Sequence, residues 1–239
     1  MPLAKRAVNG TIDLLTALLC HVEAQGLETI PERGPLLLVA NHINFLEIPV
    51  LRRVLDPRPV TGLAKVESWR NPLIGYLFTL WGAIPIRRGE SDLGAMRQAL
   101  GVLEQGYILA IGPEGTRSHD GRLGPGHPGV VTLALQSKAP VLPVAHFGGE
   151  QVGRNAKHLR RTLVRIVVGD PFRLDAGGAR VTREVRQKMV DELMYQLAAL
   201  LPPAYRGVYA NLDQATETYL RFDPPCCSNL RAGRGREAP

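Results

Sequence analysis

The sequence predicts an α/β fold: a single domain whose mostly parallel sheet is flanked by helices, preceded by an N-terminal amphipathic helix. Three observations predict it. Apolar runs recur at 36–40 (LLLVA), 59–64 (PVTGLA), 83–86 (AIPI), 107–111 (YILAI), 141–145 (VLPVA) and 163–168 (LVRIVV). Such near-continuous runs suit strands buried on both faces. Helical patterns lie among them, near 45–55, 72–80, 91–105, 129–138 and 180–200, the alternation that a sheet with crossover helices produces. A hydrophobic fraction of 45% over 239 residues suits one domain with a full core.

The N-terminus carries Lys5 and Arg6, then Val8, Ile12, Leu15, Leu18, Leu19 and Val22 at helical spacing. Asp13 and Thr16 interrupt the apolar face, and the stretch falls short of the roughly 20 residues a spanning helix needs. A small-residue cleavage site is missing, which argues against a signal peptide. Residues 1–29 are therefore read as an amphipathic helical segment, either docked on the core or lying on a membrane surface. "PERGP" (31–35) is a turn by its Pro and Gly content. The main domain is expected over 30–222. The tail "DPPCCSNLRAGRGREAP" (223–239) is poor in apolar residues and is expected to be disordered.

A net charge of +7 favours an anionic partner. Aromatic residues make up only 5%, which argues against a single-strand nucleic-acid binder built on stacking, and no helix-turn-helix pattern is present. Cys20, Cys226 and Cys227 form neither a disulfide framework nor a zinc spacing, which points to a reducing compartment. Cys226 and Cys227 are either free thiols or lipid attachment sites.

Three stretches carry chemistry. The first apolar run ends in Asn41 and His42, with Glu47 at i+5. Either this is a strand end with a surface acid, or a carboxylate that fixes an imidazole tautomer so that its other nitrogen serves as a base. "GPEGTRS" (112–118) is a polar, Gly-rich turn after a buried strand, either an ordinary turn with an ion pair from Glu114 and Arg117 or a site loop. "GAIPIRRG" (82–89) ends a short strand in Arg87 and Arg88, either a solvated basic end or a phosphate-binding fork. "GPGHPG" (124–129) follows no strand and opens no helix as a dinucleotide loop would. A G-x-S-x-G elbow, a Walker loop and an H-E-x-x-H pair are all missing. His21, His119, His127, His146 and His158 stand at no spacing that assigns them a partner, and "RNAKHLRR" (154–161) is either a solvated basic face or a contact for anionic lipid.

In this order the blocks resemble the glycerolipid acyltransferase family that contains the 1-acylglycerol-3-phosphate acyltransferases. "NHINFLE" is similar to its Asn-His-x4-Asp motif, with Glu47 in the Asp place; "GAIPIRR" to its Gly-x-Ile-x-x-x-Arg motif, giving Arg88; "GPEGTRS" to its Phe-Pro-Glu-Gly-Thr-Arg-Ser motif, with Gly112 in the Phe place; and "APVLPVA" to its proline-containing strand, giving Pro143. "LAKVESWRNPLIGYLFTLWG" (63–82) is similar to the segment between the first two motifs, and the likeness runs over roughly residues 30–170.

The resemblance implies transfer of an acyl chain from acyl-CoA or acyl carrier protein to a lysophospholipid hydroxyl, with phosphatidic acid as product. His42 and Glu47 would be catalytic; Arg88, Glu114, Gly115, Thr116 and Arg117 would hold the acceptor phosphate; Asn41 and Pro143 would support them. It implies no metal, no cofactor beyond the acyl carrier, and no covalent acyl-enzyme. With one modest helix at the N-terminus, the expected place is cytoplasmic and peripheral, on the inner face of the cell membrane, with the anionic surface as a partner. The alternatives are another lipid, glycolipid or amino-acid-lipid acceptor on the same chemistry, or a non-catalytic module that binds anionic lipid.

Overall fold

The computed structural model describes residues 3–44, 47–87, 89, 92–118 and 120–233. In chain order the elements are α1 (Leu3–Leu19), β1 (Cys20–Gln25), β2 (Leu36–Ala40), α2 (Glu47–Val54), β3 (Val60–Lys65), α3 (Pro72–Leu80), β4 (Ile84–Ile86), α4 (Leu93–Glu104), β5 (Ile108–Ile111), α5 (Gly129–Ser137), β6 (Val141–Phe147), α6 (Val152–Lys157), β7 (Thr162–Val168), β8 (Arg173–Leu174), α7 (Arg183–Ala198), β9 (Leu220–Arg221) and α8 (Asn229–Gly233). The main sheet has seven strands in the order β1-β7-β6-β2-β5-β3-β4. Every neighbouring pair is parallel except β6 with β7. The expected mostly parallel sheet is therefore present.

Strand β2 is the centre of this sheet, and every one of its residues is buried. Its side chains alternate between two cores, as the two-residue strand period requires. Leu37 and Val39 pack with residues of α4, α5 and α7, while Leu36, Leu38 and Ala40 pack with Val50 and Leu51 of α2. That two-sided burial is why the sequence there is apolar without alternation. Local capping sets several helix starts. Asn71 accepts from the backbone N–H groups of Leu73 and Ile74 ahead of Pro72. Asp92 accepts from Ala95 N–H at the start of α4, and its other oxygen accepts from Arg87 N–H at 3.1 Å, tying the end of β4 to that helix.

Two expectations are corrected. The N-terminal helix stops at Leu19, and Cys20–Gln25 forms an edge strand parallel to β7, from Cys20 opposite Thr162 to Gln25 opposite Val167. The segment 1–29 is thus partly built into the sheet. Helix α1 packs inward through polar groups: Trp81 Nε1–H donates to Asn9, and Arg52 pairs with Asp13. Leu14, Leu15 and Leu18 remain exposed on its outer side.

The tail from 223, expected to be disordered, is folded as far as it is described. Ser228 and Asn229 are buried. Asn229 N–H donates to Gln196, its carboxamide donates to the Asp170 carbonyl, and its oxygen accepts from Asp170 N–H at 2.8 Å. Polar side chains, not apolar burial, anchor this segment, so its low hydrophobicity misleads. Residues 234–239 lie outside the described residues.

Candidate active site

Strands β6, β2 and β5 are neighbours and parallel, so their carboxyl ends meet at one edge of the sheet, where α/β proteins collect functional groups. Strand β2 delivers Asn41 and His42, β5 delivers residues 112–118, and β6 delivers His146. Glu47 is the first residue of α2, where a carboxylate also meets the positive end of the helix dipole.

His42 Nδ1 is hydrogen-bonded to Glu47 Oε1. The other carboxylate oxygen accepts from Ile43 N–H at 3.0 Å and lies 3.0 Å from His146 Nε2. Burial by itself would raise the Glu47 pKa; the hydrogen bonds from His146 and His42 outweigh it and bring the carboxyl down to about 2. Glu47 is therefore ionised at neutral pH. An ionised carboxylate only accepts, so Nδ1 of His42 carries a proton, and in the neutral ring Nε2 holds the lone pair. The His42 side chain is 20% exposed, which leaves it open to a substrate.

The 112–118 turn sits directly on this histidine. Glu114, 4% exposed, accepts from His42 N–H at 3.0 Å with one oxygen and from Gly124 N–H at 2.8 Å with the other. Ser118 N–H donates to the His42 carbonyl at 2.7 Å. Both Glu114 oxygens thus hold main chain, and burial pushes its carboxyl pKa up against the pull of those two N–H groups. Gly115 has φ +66°, and a Cβ there would lie 2.9 Å from the His127 ring, so only glycine fits. Gly112 lies against the histidine: a Cβ at that position would be 3.2 Å from His42 Cβ.

Thr116 and Arg117 are exposed at the rim of a depression of about 450 Å³, shared with Arg122, His127 and Val208. The Val208 wall comes from the chain after α7, held by Val208 N–H donating to the Leu123 carbonyl and Leu123 N–H to that of Tyr205. Asp120 and Glu114 line the same depression, and Asp120 pairs with Arg122 at 3.9 Å. Asn41 is buried and paired both ways with His146: its carboxamide donates to the His146 carbonyl at 2.8 Å, and its oxygen accepts from His146 N–H at 2.9 Å. Pro143 is buried in β6 opposite Val39, one layer below the mouth. Arg88 lies outside the described residues. Among the described residues, no group of three or more His, Cys, Asp or Glu side chains is gathered for a metal ion.

Sequence reasoning missed His146. The signal was there: like the run before His42, the apolar run 141–145 ends on a histidine. Its partner, however, comes from residues about a hundred positions away and has no local spacing.

His42 and Glu47 are thus paired at a strand end, against the Glu-Gly-Thr-Arg turn. A family model described as "Acyltransferase" matches residues 21–146, and the chain belongs to that family. Among its relatives, the chloroplastic 1-acyl-sn-glycerol-3-phosphate acyltransferase of Brassica napus is 29% identical over 155 residues, which are 63% of this chain and 44% of that protein. The lyso-ornithine lipid O-acyltransferase of Pseudomonas aeruginosa is 38% identical over 114 residues, 47% of this chain and 43% of that one. The crystal structure of the 1-acyl-sn-glycerophosphate acyltransferase of Thermotoga maritima superposes with a TM-score of 0.58 at 25% identity, covering 80% of this chain and 78% of the other. The chain spans about half the length of the plant relatives it matches.

Proposed function

We propose that the protein transfers a fatty acyl chain from acyl-CoA or acyl carrier protein to the free hydroxyl of 1-acylglycerol-3-phosphate, giving phosphatidic acid. The observation that carries the reading is the partly exposed His42 imidazole with its Nδ1–H held by an ionised Glu47. Its Nε2 takes the proton of the acceptor hydroxyl, and the oxygen attacks the thioester carbonyl. The C–S bond breaks, and the departing thiolate takes the proton back from the imidazolium. Glu114 keeps the His42 backbone in place from below. Arg117, beside Thr116 in the neighbouring depression, pairs with the acceptor phosphate, and Arg88 adds a second guanidinium. The requirement is for fixed geometry more than for new chemical groups.

The substrates are lipids, so the protein works at a membrane surface, on the inner face of the cell membrane. No helix among the described residues is long and apolar enough to cross a bilayer. The contact we favour combines the exposed Leu14, Leu15 and Leu18 of α1 with the turn after α6. There Leu159 is 97% exposed between Lys157 and Arg160. Basic groups around a projecting leucine suit an anionic bilayer.

The test is acyl transfer by the purified protein from labelled acyl-CoA and acyl carrier protein to a panel of lysolipids. Transfer to 1-acylglycerol-3-phosphate, lowered by roughly 10²–10⁴-fold in His42→Ala, is expected. Transfer only to lyso-ornithine lipid or another phosphate-free acceptor would overturn the acceptor assignment. Wild-type transfer by a folded His42→Ala variant would overturn the mechanism.

A further inference from the structure

We propose that His146 is a positioning residue of the catalytic pair, the third member of a His42–Glu47–His146 chain that Glu47 closes by the methylene an aspartate lacks. The inference rests on the acyl-transfer reading above for its kinetic consequence, but its geometry stands apart from it. His146 is buried at the carboxyl end of β6, 4% exposed. Its Nε2 lies 2.5 Å from the Asn41 carbonyl oxygen. A carbonyl only accepts, so Nε2 carries a proton whatever the charge of the ring. The same nitrogen lies 3.0 Å from Glu47 Oε2, within ion-pair distance of the carboxylate.

The Asn41 carbonyl is itself fixed, because the Asn41 side chain and the His146 main chain exchange two hydrogen bonds. Glu47 Oε2 thus accepts from Ile43 N–H and sits against the His146 Nε2 edge, and turning the carboxylate about its last bond breaks both contacts. That leaves Oε1 aimed at His42. Behind the carboxylate, a cavity of about 10 Å³ is lined by Asn44, Glu47, Val50, Leu51, His146 and neighbouring residues, room for one water at most. The ionisable groups around the chain are His42, Glu47, His146 and, through the His42 N–H, Glu114.

His146→Phe keeps a ring of similar volume and removes the donor; His146→Gln keeps an N–H at nearly the same reach. Without the His146 donor, Glu47 draws more strongly on the His42 proton, so the free base appears at higher pH. His146→Phe is expected to lower kcat about tenfold, to move the acid limb of the pH–rate profile up by about one unit, and to leave both KM values within about twofold, the size of losing one hydrogen bond to a charged group. His146→Gln should restore most of the loss. In a Glu47→Asp background, where the shorter acid no longer reaches both rings, His146→Phe should change little.

Wild-type kcat and acid limb in a folded His146→Phe variant would overturn the proposal, as would a His146→Gln variant no better than the phenylalanine one. The imidazole ¹⁵N spectrum of the wild-type protein gives a reading that needs neither activity nor a folded variant. A His146 proton on Nε2 supports the chain and one on Nδ1 overturns it. Absence of transfer to every lysolipid would defeat the acyl-transfer reading while the ¹⁵N spectrum still decides the position of the His146 proton.

Discussion

Replacing Glu47 by glutamine removes a charge and adds an N–H donor at almost constant volume. The structure dictates which way the amide must face. On the Oε2 side lie an obligate donor, Ile43 N–H, and the Nε2 edge of His146, whose proton the Asn41 carbonyl fixes. The amide oxygen must face them. Its NH₂ group then meets His42 Nδ1, which has to accept, so the His42 proton moves to Nε2 and blocks the atom that should act as the base. A wrong tautomer of this kind costs about 10⁴ in kcat in the serine-protease triad, and a loss of about 10³–10⁴ is expected here.

Stability should fall too. The folded carboxyl titrates at about 2 instead of its ordinary 4.5, which corresponds to about 3 kcal/mol of stability at neutral pH. The sign is that of a depressed carboxyl: the contribution is present above about 4.5 and is lost as the pH falls towards 2. Glutamine keeps the neutral part of these hydrogen bonds, so a loss of about 1–3 kcal/mol and a Tm lowered by about 3–8 °C are expected. Turnover with a labelled acyl donor, a thermal melt across pH and the His42 ¹⁵N tautomer check the three parts. A folded variant with kcat within tenfold of wild type, or with the proton still on Nδ1, would refute the tautomer argument.

Gly112→Ala should lower kcat severalfold with small effects on stability and KM, because the new Cβ would lie 3.2 Å from His42 Cβ and shift the base; steady-state kinetics beside a thermal melt check it. Arg117→Ala should raise the KM of a phosphate acceptor by about 10–100-fold, the range for one hydrogen bond between charged groups, and leave that of the acyl donor nearly unchanged; equal effects on both would move Arg117 out of the phosphate site. Neutralising Arg154, Lys157 and Arg160 by glutamine should weaken binding to anionic vesicles by about 3 kcal/mol at low salt and far less at high salt, read by co-sedimentation. Arg161 is left out because its guanidinium donates to the Cys20 carbonyl at 2.6 Å. At high salt, Leu159→Asp should reduce what remains.

Elements whose signals are local were legible in the order of the residues. The run 36–40 is strand β2 and the pattern over 72–80 is helix α3, because two-sided burial and a helix cap are written in consecutive residues. His42 and Glu47 were likewise expected near each other, since five residues across one turn keep them close. Pairings between distant strands carry no such local mark. The parallel register of β2 with β6, Val39 opposite Pro143 and Ala40 opposite Val144, brings His146 to Glu47. The chain after β5 brings Glu114 under the His42 backbone. The edge strand at Cys20–Gln25, with a polar, mostly exposed sequence, acquires its identity only from β7 beside it. Helix α1 turns polar Asn9 and Asp13 inward because Trp81 and Arg52 wait for them, so the face that periodicity would bury is partly the one left outside. Periodicity records how much of a residue is buried; which partner satisfies a buried polar atom is set by contacts across the fold, and the orientation of Glu47 is a property of that kind.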